Sequence, residues 1–204
     1  RFRIVEEIIS RARQQVGDYP IFIKISAYDG FKDGATVEES VRLSKMLQEA
    51  GYNAIEVSCG NNQPFNMTRV TKIPVQAIIT FIPQFSQMPY LQKKLMAPLI
   101  PFLLKRYQPL YNYNVEAGRK IKEQVTIPVI VVGGIRKLRD IEEIISEDKA
   151  DYVSMCRPFI IEPDIVSKFS SGKQVESRCI DCGYCLMGLM ANHLRCYYGK
   201  IPED

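Results

Sequence analysis

No stretch of this chain is suited to crossing a bilayer or to tracking a nucleic acid. The longest apolar segment, around Met96 to Leu104, contains Pro98 and Pro101 and falls short of the roughly 20 apolar residues a spanning helix needs. No secretory signal opens the chain, which starts on Arg1 with Ile4, Val5, Ile8, Ile9 and Ala12 already at helical spacing. Its 27 basic and 23 acidic side chains are interleaved, so the net charge of +4 builds no basic block able to neutralise phosphates in series. Histidine is represented by His193 alone. The expectation from these absences is a soluble, cytoplasmic protein without membrane or nucleic-acid partners, cut from something longer.

What is present is ordinary core material, 46% hydrophobic against 25% charged in 204 residues, enough for one sizeable domain. Six cysteines stand out, because four of them fall in the last thirty or so residues while Cys59 and Cys156 sit alone in apolar stretches. A disulfide framework is not distributed that way. Without secretory signals the cluster points to a metal or redox site built from reduced thiols.

Short β-rich runs alternate with helical segments. A helix over residues 2–16 precedes a strand at 21–26; Thr36, with Glu39 three residues on, caps a second helix that stops at Gly51; a strand follows at 54–58. Residues 61–89 are polar and Pro-rich and read as a long excursion from the scaffold. Helical spacing returns at 91–104 and 115–125, a strand at 128–132 ends on Gly133-Gly134, a helix covers 138–146, and a strand at 152–155 leads into Arg157-Pro158. A short helix at 164–169 precedes the cysteines. Strands apolar on both faces and alternating with helices call for a parallel sheet. Four such units make half of an eight-stranded barrel, which takes roughly 250 residues.

Gly133 and Gly134 put two unhindered backbone N–H groups at the C-terminal end of a parallel strand, where βα barrels bind phosphate. Taken alone, the pair also fits a plain tight turn. Arg157 follows the next strand, so its guanidinium can reach the same phosphate with paired hydrogen bonds, although a surface ion pair would equally explain one arginine. Cys179, Cys182, Cys185 and Cys196 form C-x2-C-x2-C and a fourth cysteine after ten residues. A compact triple can wrap three corners of a four-iron, four-sulfur cluster, whereas structural zinc favours separated C-x2-C pairs. Zinc and unligated thiols remain the alternatives. With four thiols available His193 reads as a bystander, and Met187, Leu189, Met190 and Leu194 as packing around the metal site.

The run Ile127-Pro-Val-Ile-Val-Val-Gly-Gly-Ile135, continued by Ala150-Asp-Tyr-Val-Ser-Met-Cys-Arg-Pro-Phe159, resembles the last two βα units of the Old Yellow Enzyme family, and Arg1-Phe-Arg3 resembles the start of its helix after strand four. The resemblance spans nearly the whole chain and implies an α/β fold, the C-terminal half of a (β/α)8 TIM barrel carrying strands five to eight, followed by a Cys-rich metal-binding tail. It divides the chain into an FMN-binding half barrel at 1–175 and an iron-sulfur segment at 176–204. It implies that Lys24 points at the pyrimidine edge of the flavin and that Gly133, Gly134, Cys156 and Arg157 hold the FMN phosphate; the family often has Gly where Cys156 stands. Cys59 occupies a position where the family commonly has Gly, and reads as a small buried thiol.

The iron-sulfur branch, which includes dienoyl-CoA reductases and trimethylamine dehydrogenase, carries a similar cysteine set that exchanges single electrons with the flavin. By this resemblance the parent enzyme passes hydride from NAD(P)H through FMN to an activated alkene or similar small-molecule acceptor. The catalytic residues and the rest of the barrel are expected before Arg1, and the branch's C-terminal dinucleotide-binding region does not fit after Cys196. The isolated piece is expected to be inactive and to self-associate or require its missing N-terminal half barrel, since a half barrel leaves sheet edges open. The rival reading is a non-catalytic binding or assembly module with a structural metal site. Tyr28 and the tyrosines near Tyr111 are candidates for the active-site mouth, with a structural role favoured.

Overall fold

In the computed structural model, which describes residues 2–60, 69–104, 110–189 and 193–201, the helical spacing of the opening segment forms α1 (Arg3–Val16) and buries Ile9. Then come β1 (Phe22–Ser26), α2 (Val37–Glu49), β2 (Ala54–Ser58), α3 (Val75–Phe81), α4 (Pro83–Ser86) and α5 (Tyr90–Met96). A 3-10 turn at Ala97–Leu99 separates α5 from α6 (Ile100–Leu103), and α7 (Val115–Lys122), β3 (Val129–Val132), α8 (Leu138–Ser146) and β4 (Tyr152–Ser154) follow. The chain continues through α9 (Arg157–Ile161), α10 (Ile165–Ser170) and α11 (Tyr184–Leu189). No described helix is long and apolar enough to cross a membrane.

The chain divides into two compact units, one of Arg1–Asn61, Tyr111–Ile135 and Arg139–Ser154, the other of Asn62–Leu110, Arg136–Leu138 and Met155–Asp204. The second unit is assembled from three stretches of sequence.

The first unit holds a four-stranded parallel sheet in the order β1-β2-β3-β4, with Ile23 paired to Ile55 and Ile55 to Val129. Period-two alternation sends Ile25, Ile55, Val57, Val129 and Val131 into a core shared with Ile9, Leu47, Ile121 and Ile144 from the helices. The opposite strand face carries Phe22, Lys24, Glu56, Ile130 and Tyr152, and Phe22 and Tyr152 are 61% and 59% exposed. Thr36 and Glu39 form the reciprocal cap of α2, with Glu39 N–H donating to the threonine hydroxyl at 3.2 Å and Thr36 N–H to the Glu39 carboxylate at 2.8 Å. α7 lies so close to β3 that a Cβ at Gly118 would stand 2.2 Å from Val131 Cγ1. Lys122 ties α7 to the chain entering β4 through Asp148 at 2.7 Å and Asp151 at 2.6 Å, and Asp151 in turn accepts the Val129 N–H at 2.8 Å.

The second unit has a core of Ala77, Ile78, Ile82, Ile100, Met187, Tyr197 and Ile201. The expected excursion at 61–89 is therefore partly helical: residues 61–68 lie outside the described residues, but α3 and α4 fall within it. Pro98 and Pro101 break the expected 91–104 helix into α5, the 3-10 turn and α6. Met187 is buried against α3 rather than around the cysteines, Leu189 and Leu194 are exposed, and Met190 lies outside the described residues.

Candidate functional site

Strand β3 delivers Gly133 and Gly134 with φ of 145° and 71°. A Cβ at Gly133 would meet the Tyr113 ring at 2.6 Å and the Asn114 side-chain nitrogen at 2.8 Å, so only glycine fits there. Asn114, 1% exposed, donates from Nδ2 to the Val132 carbonyl at 2.6 Å and finishes the end of the strand. The glycine at 133 thus has a packing reason as well as leaving the loop backbone bare. Lys24 shares a register row with Glu56 on the open face of the sheet, and its ammonium sits 3.3 Å from that carboxylate. Cys59, half-buried, follows β2.

Cys156 and Arg157 belong to the second unit, at the start of α9. The Arg157 guanidinium is held inside that unit: Nη1 donates to the Arg69 carbonyl at 2.7 Å and lies 3.1 Å from Asp181 Oδ1. Arg136, which follows the glycine loop in sequence, reaches the same carboxylate at 2.9 Å and also donates to the Cys179 carbonyl. Asp181 is 2% exposed, so one buried carboxylate between Cys179 and Cys182 secures two guanidiniums. Burial pushes its carboxyl above the ordinary value, against the pull of Arg157 and Arg136.

Around this clamp the structure gathers Cys179, Cys182, Cys185, Cys196 and Arg157 on one pocket of about 20 Å3, room for about one water. All six cysteines are free thiols. Burial raises the Cys179, Cys182 and Cys185 thiols, the last to about 11, while Arg157 pulls all three the other way. Cys179 Sγ donates to Asp181 Oδ1 at 3.8 Å. The donor set matches a cluster in kind and number. As they stand, no three His, Cys, Asp or Glu side chains among the described residues are gathered to hold a metal ion, so the thiols must turn to ligate one. His193 is exposed and does not line the pocket; its carbonyl accepts the Tyr197 hydroxyl at 2.8 Å.

The approach to the first cysteine is fixed by Glu162, whose side chain is 0% exposed. Oε2 accepts Arg178 N–H at 2.7 Å and the Ser177 hydroxyl at 3.0 Å; Oε1 accepts Gln174 Nε2 at 2.9 Å and Arg178 Nε at 3.0 Å. Ser177 Oγ passes the link on by accepting Cys179 N–H at 3.2 Å. Burial alone would raise this carboxyl, but the Arg178 N–H and then the Gln174, Ser177 and Arg178 side chains outweigh it and lower it to about 2.

Residues 90–176 match the NADH:flavin oxidoreductase / NADH oxidase family. Across the longer span the chain is 32% identical to the NADH oxidase of Thermoanaerobacter brockii over 198 residues, 96% of this chain and 25% of that protein. A solved 2-naphthoyl-CoA reductase, in complex with 2-naphthoyl-CoA, matches with a TM-score of 0.68 at 18% identity over 95% of this chain and 25% of its own. The Old Yellow Enzyme homologue of Zymomonas mobilis gives 0.52 at 14% identity, over 89% of this chain and 39% of its own. At such identities these structures speak for the fold alone, an α/β arrangement on a parallel sheet with TIM-barrel-like neighbours. The chain spans about a quarter of the length of the NADH oxidase and of the naphthoyl-CoA reductase. Over residues 90–176, and across most of its length against the NADH oxidase, the chain is thus similar to flavin oxidoreductases.

Proposed function

We propose that this chain is strands five to eight of a flavin-binding (β/α)8 barrel from an NAD(P)H-dependent oxidoreductase, and that Cys179, Cys182, Cys185 and Cys196 carry a four-iron, four-sulfur cluster. When bound, FMN would supply hydride transfer from NAD(P)H to an activated alkene or similar acceptor, and the cluster would supply single-electron transfer. The observation that carries the reading is the parallel sheet in sequence order with Gly133-Gly134 at the C-terminal end of β3, inside the segment that matches the flavin oxidoreductases.

Each residue then has a physical task. Backbone N–H groups of Gly133, Gly134 and Cys156 would meet the FMN phosphate. Arg157 uses Nη1 for Asp181 and Arg69, and a guanidinium carries five N–H donors, so others remain for a phosphate. Lys24 would place positive charge at the pyrimidine edge of the ring, where reduction builds negative charge. Arg136 and Arg157, fixed on Asp181, put two positive charges beside the cysteines, of which Cys179, Cys182 and Cys185 have their ionisation opposed by burial. The remaining strands would close the barrel by pairing with the edge strands β1 and β4, and the open strand face bearing Phe22 and Tyr152 would become its interior. Residues 1–204 alone would accordingly be inactive.

The test is an anaerobic assay of the full-length protein with NADH or NADPH and an α,β-unsaturated ketone. Reduced-nicotinamide consumption coupled to alkene reduction, lost when flavin is stripped and restored by FMN, is the expected result. A flavin-free protein that oxidises neither nicotinamide would leave the assembly-module reading.

A further inference from the structure

Helices α3, α4 and α5 and the segment 195–201 surround a pocket of about 500 Å3 that the reading above does not use. Lys93, Arg195 and Lys200 line it together with Gln76, Thr80 and Ser86, and among the described residues no carboxylate does. Elsewhere on the chain cations are commonly matched, as Lys122 is by Asp148 and Asp151 and Lys149 by Glu143 and Glu147. Among the described residues none of the three pocket cations has a carboxylate partner. Lys93 instead donates to the Ser86 carbonyl at 2.8 Å, and the Arg195 guanidinium stands 4.9 Å from the centre of the Tyr197 ring.

The aromatic wall is Phe81, which lines the pocket and is braced by a buried tyrosine. Tyr197 is 3% exposed, packs on Phe81 with ring centres 4.9 Å apart and planes at 58°, and has its hydroxyl anchored on the His193 carbonyl. The volume falls within the range of about 300–1,000 Å3 typical of small-molecule sites and exceeds what a lone phosphate needs. Three like charges lining one pocket, without a carboxylate among the described residues that line it, make its potential positive, and an anion is favoured there.

We propose that this pocket binds a phosphorylated small molecule of nucleotide size, its phosphates held by Lys93, Arg195 and Lys200 and its ring laid against Phe81. Arg195 and Tyr197 flank Cys196, which lines the cysteine pocket, so consecutive residues of one segment serve the two sites. Occupation of the one therefore bears on the position of a thiol in the other.

Isothermal titration of ADP into the full-length protein tests this, with adenosine and inorganic pyrophosphate as separate arms. The expected result is one ADP per chain, weakened about tenfold or more in each of Lys93→Gln and Lys200→Glu, as loss of a charge-assisted hydrogen bond predicts. Adenosine and pyrophosphate should each bind more weakly than ADP. No ADP binding, or binding that both substitutions leave unchanged, overturns the site. Adenosine binding as tightly as ADP overturns the phosphate assignment, and pyrophosphate doing so overturns the ring contact. Because the pocket uses none of the residues assigned to flavin or cluster, these outcomes are separate from the fate of the oxidoreductase reading.

Discussion

Glu162 should be a consequential carboxylate for the cysteine segment. Its side chain is 0% exposed and its pKa is lowered from 4.5 to about 2, a difference of about 2.5, which corresponds to about 3 kcal/mol of native-state stabilisation at neutral pH. Because the folded value lies below the unfolded one, this contribution is complete above about pH 4.5 and is lost as pH falls toward about 2. Glu162→Gln keeps the shape but removes the charge and turns an acceptor into a donor among five donor groups, the Lys168 ammonium at 3.5 Å included. Urea titrations should place the variant about 2–3 kcal/mol below the parent at pH 7, the gap narrowing as pH falls from 4.5 to 2. Hydrogen exchange at the Arg178 and Cys179 amides should accelerate in the same variant. A Glu162→Gln protein as stable as the parent at pH 7, or a gap indifferent to acid, would refute the reasoning.

Asp181→Asn leaves the Arg136 and Arg157 guanidiniums beside a neutral group, with Arg136 only 7% exposed, and should cost about 3 kcal/mol or more in urea denaturation. Arg157→Ala in the full-length protein should weaken FMN by about 1.5–3 kcal/mol, read by fluorescence titration, and residues 1–204 alone should bind FMN weakly; micromolar binding by the piece would count against a missing half barrel. Replacing any one of Cys179, Cys182, Cys185 or Cys196 by Ser should lower iron and acid-labile sulfide in protein purified without oxygen, since a hard oxygen replaces a soft thiolate. About one zinc per chain without sulfide would instead make the site a structural metal staple.

Much of the scaffold was legible because its signals are local. The Thr36–Glu39 cap, the period-two strands and the helix at 138–146 all follow from neighbours within a few residues. Prolines misled in the passage at 61–89: they read as breakers, yet Pro74 precedes α3, Pro83 begins α4 and Pro89 precedes α5, the places where a missing N–H costs a helix nothing. Helix α9 went unread for the same reason, since Pro158 sits in its first turn. The cysteine spacing was visible, but the residues that organise its surroundings were not. Glu162 acts on Ser177 and Arg178, and Arg136 on Asp181, across separations that leave no periodic trace. Arg157 was read for phosphate or for a surface ion pair, and only the folded chain reveals that its carboxylate is the buried Asp181 beside the cysteines.

The central claim is that this chain forms part of a flavoprotein that accepts electrons from a reduced nicotinamide. It is tested most directly by purifying the full-length protein without oxygen, extracting and identifying its flavin, and following the visible flavin band of the holoprotein on addition of NADH or NADPH. The account predicts about one FMN per barrel, the single phosphate site of the fold, and bleaching of the band by at least one of the two nicotinamides. A protein that carries no flavin and binds none when FMN is supplied, or whose FMN neither nicotinamide reduces, would contradict it.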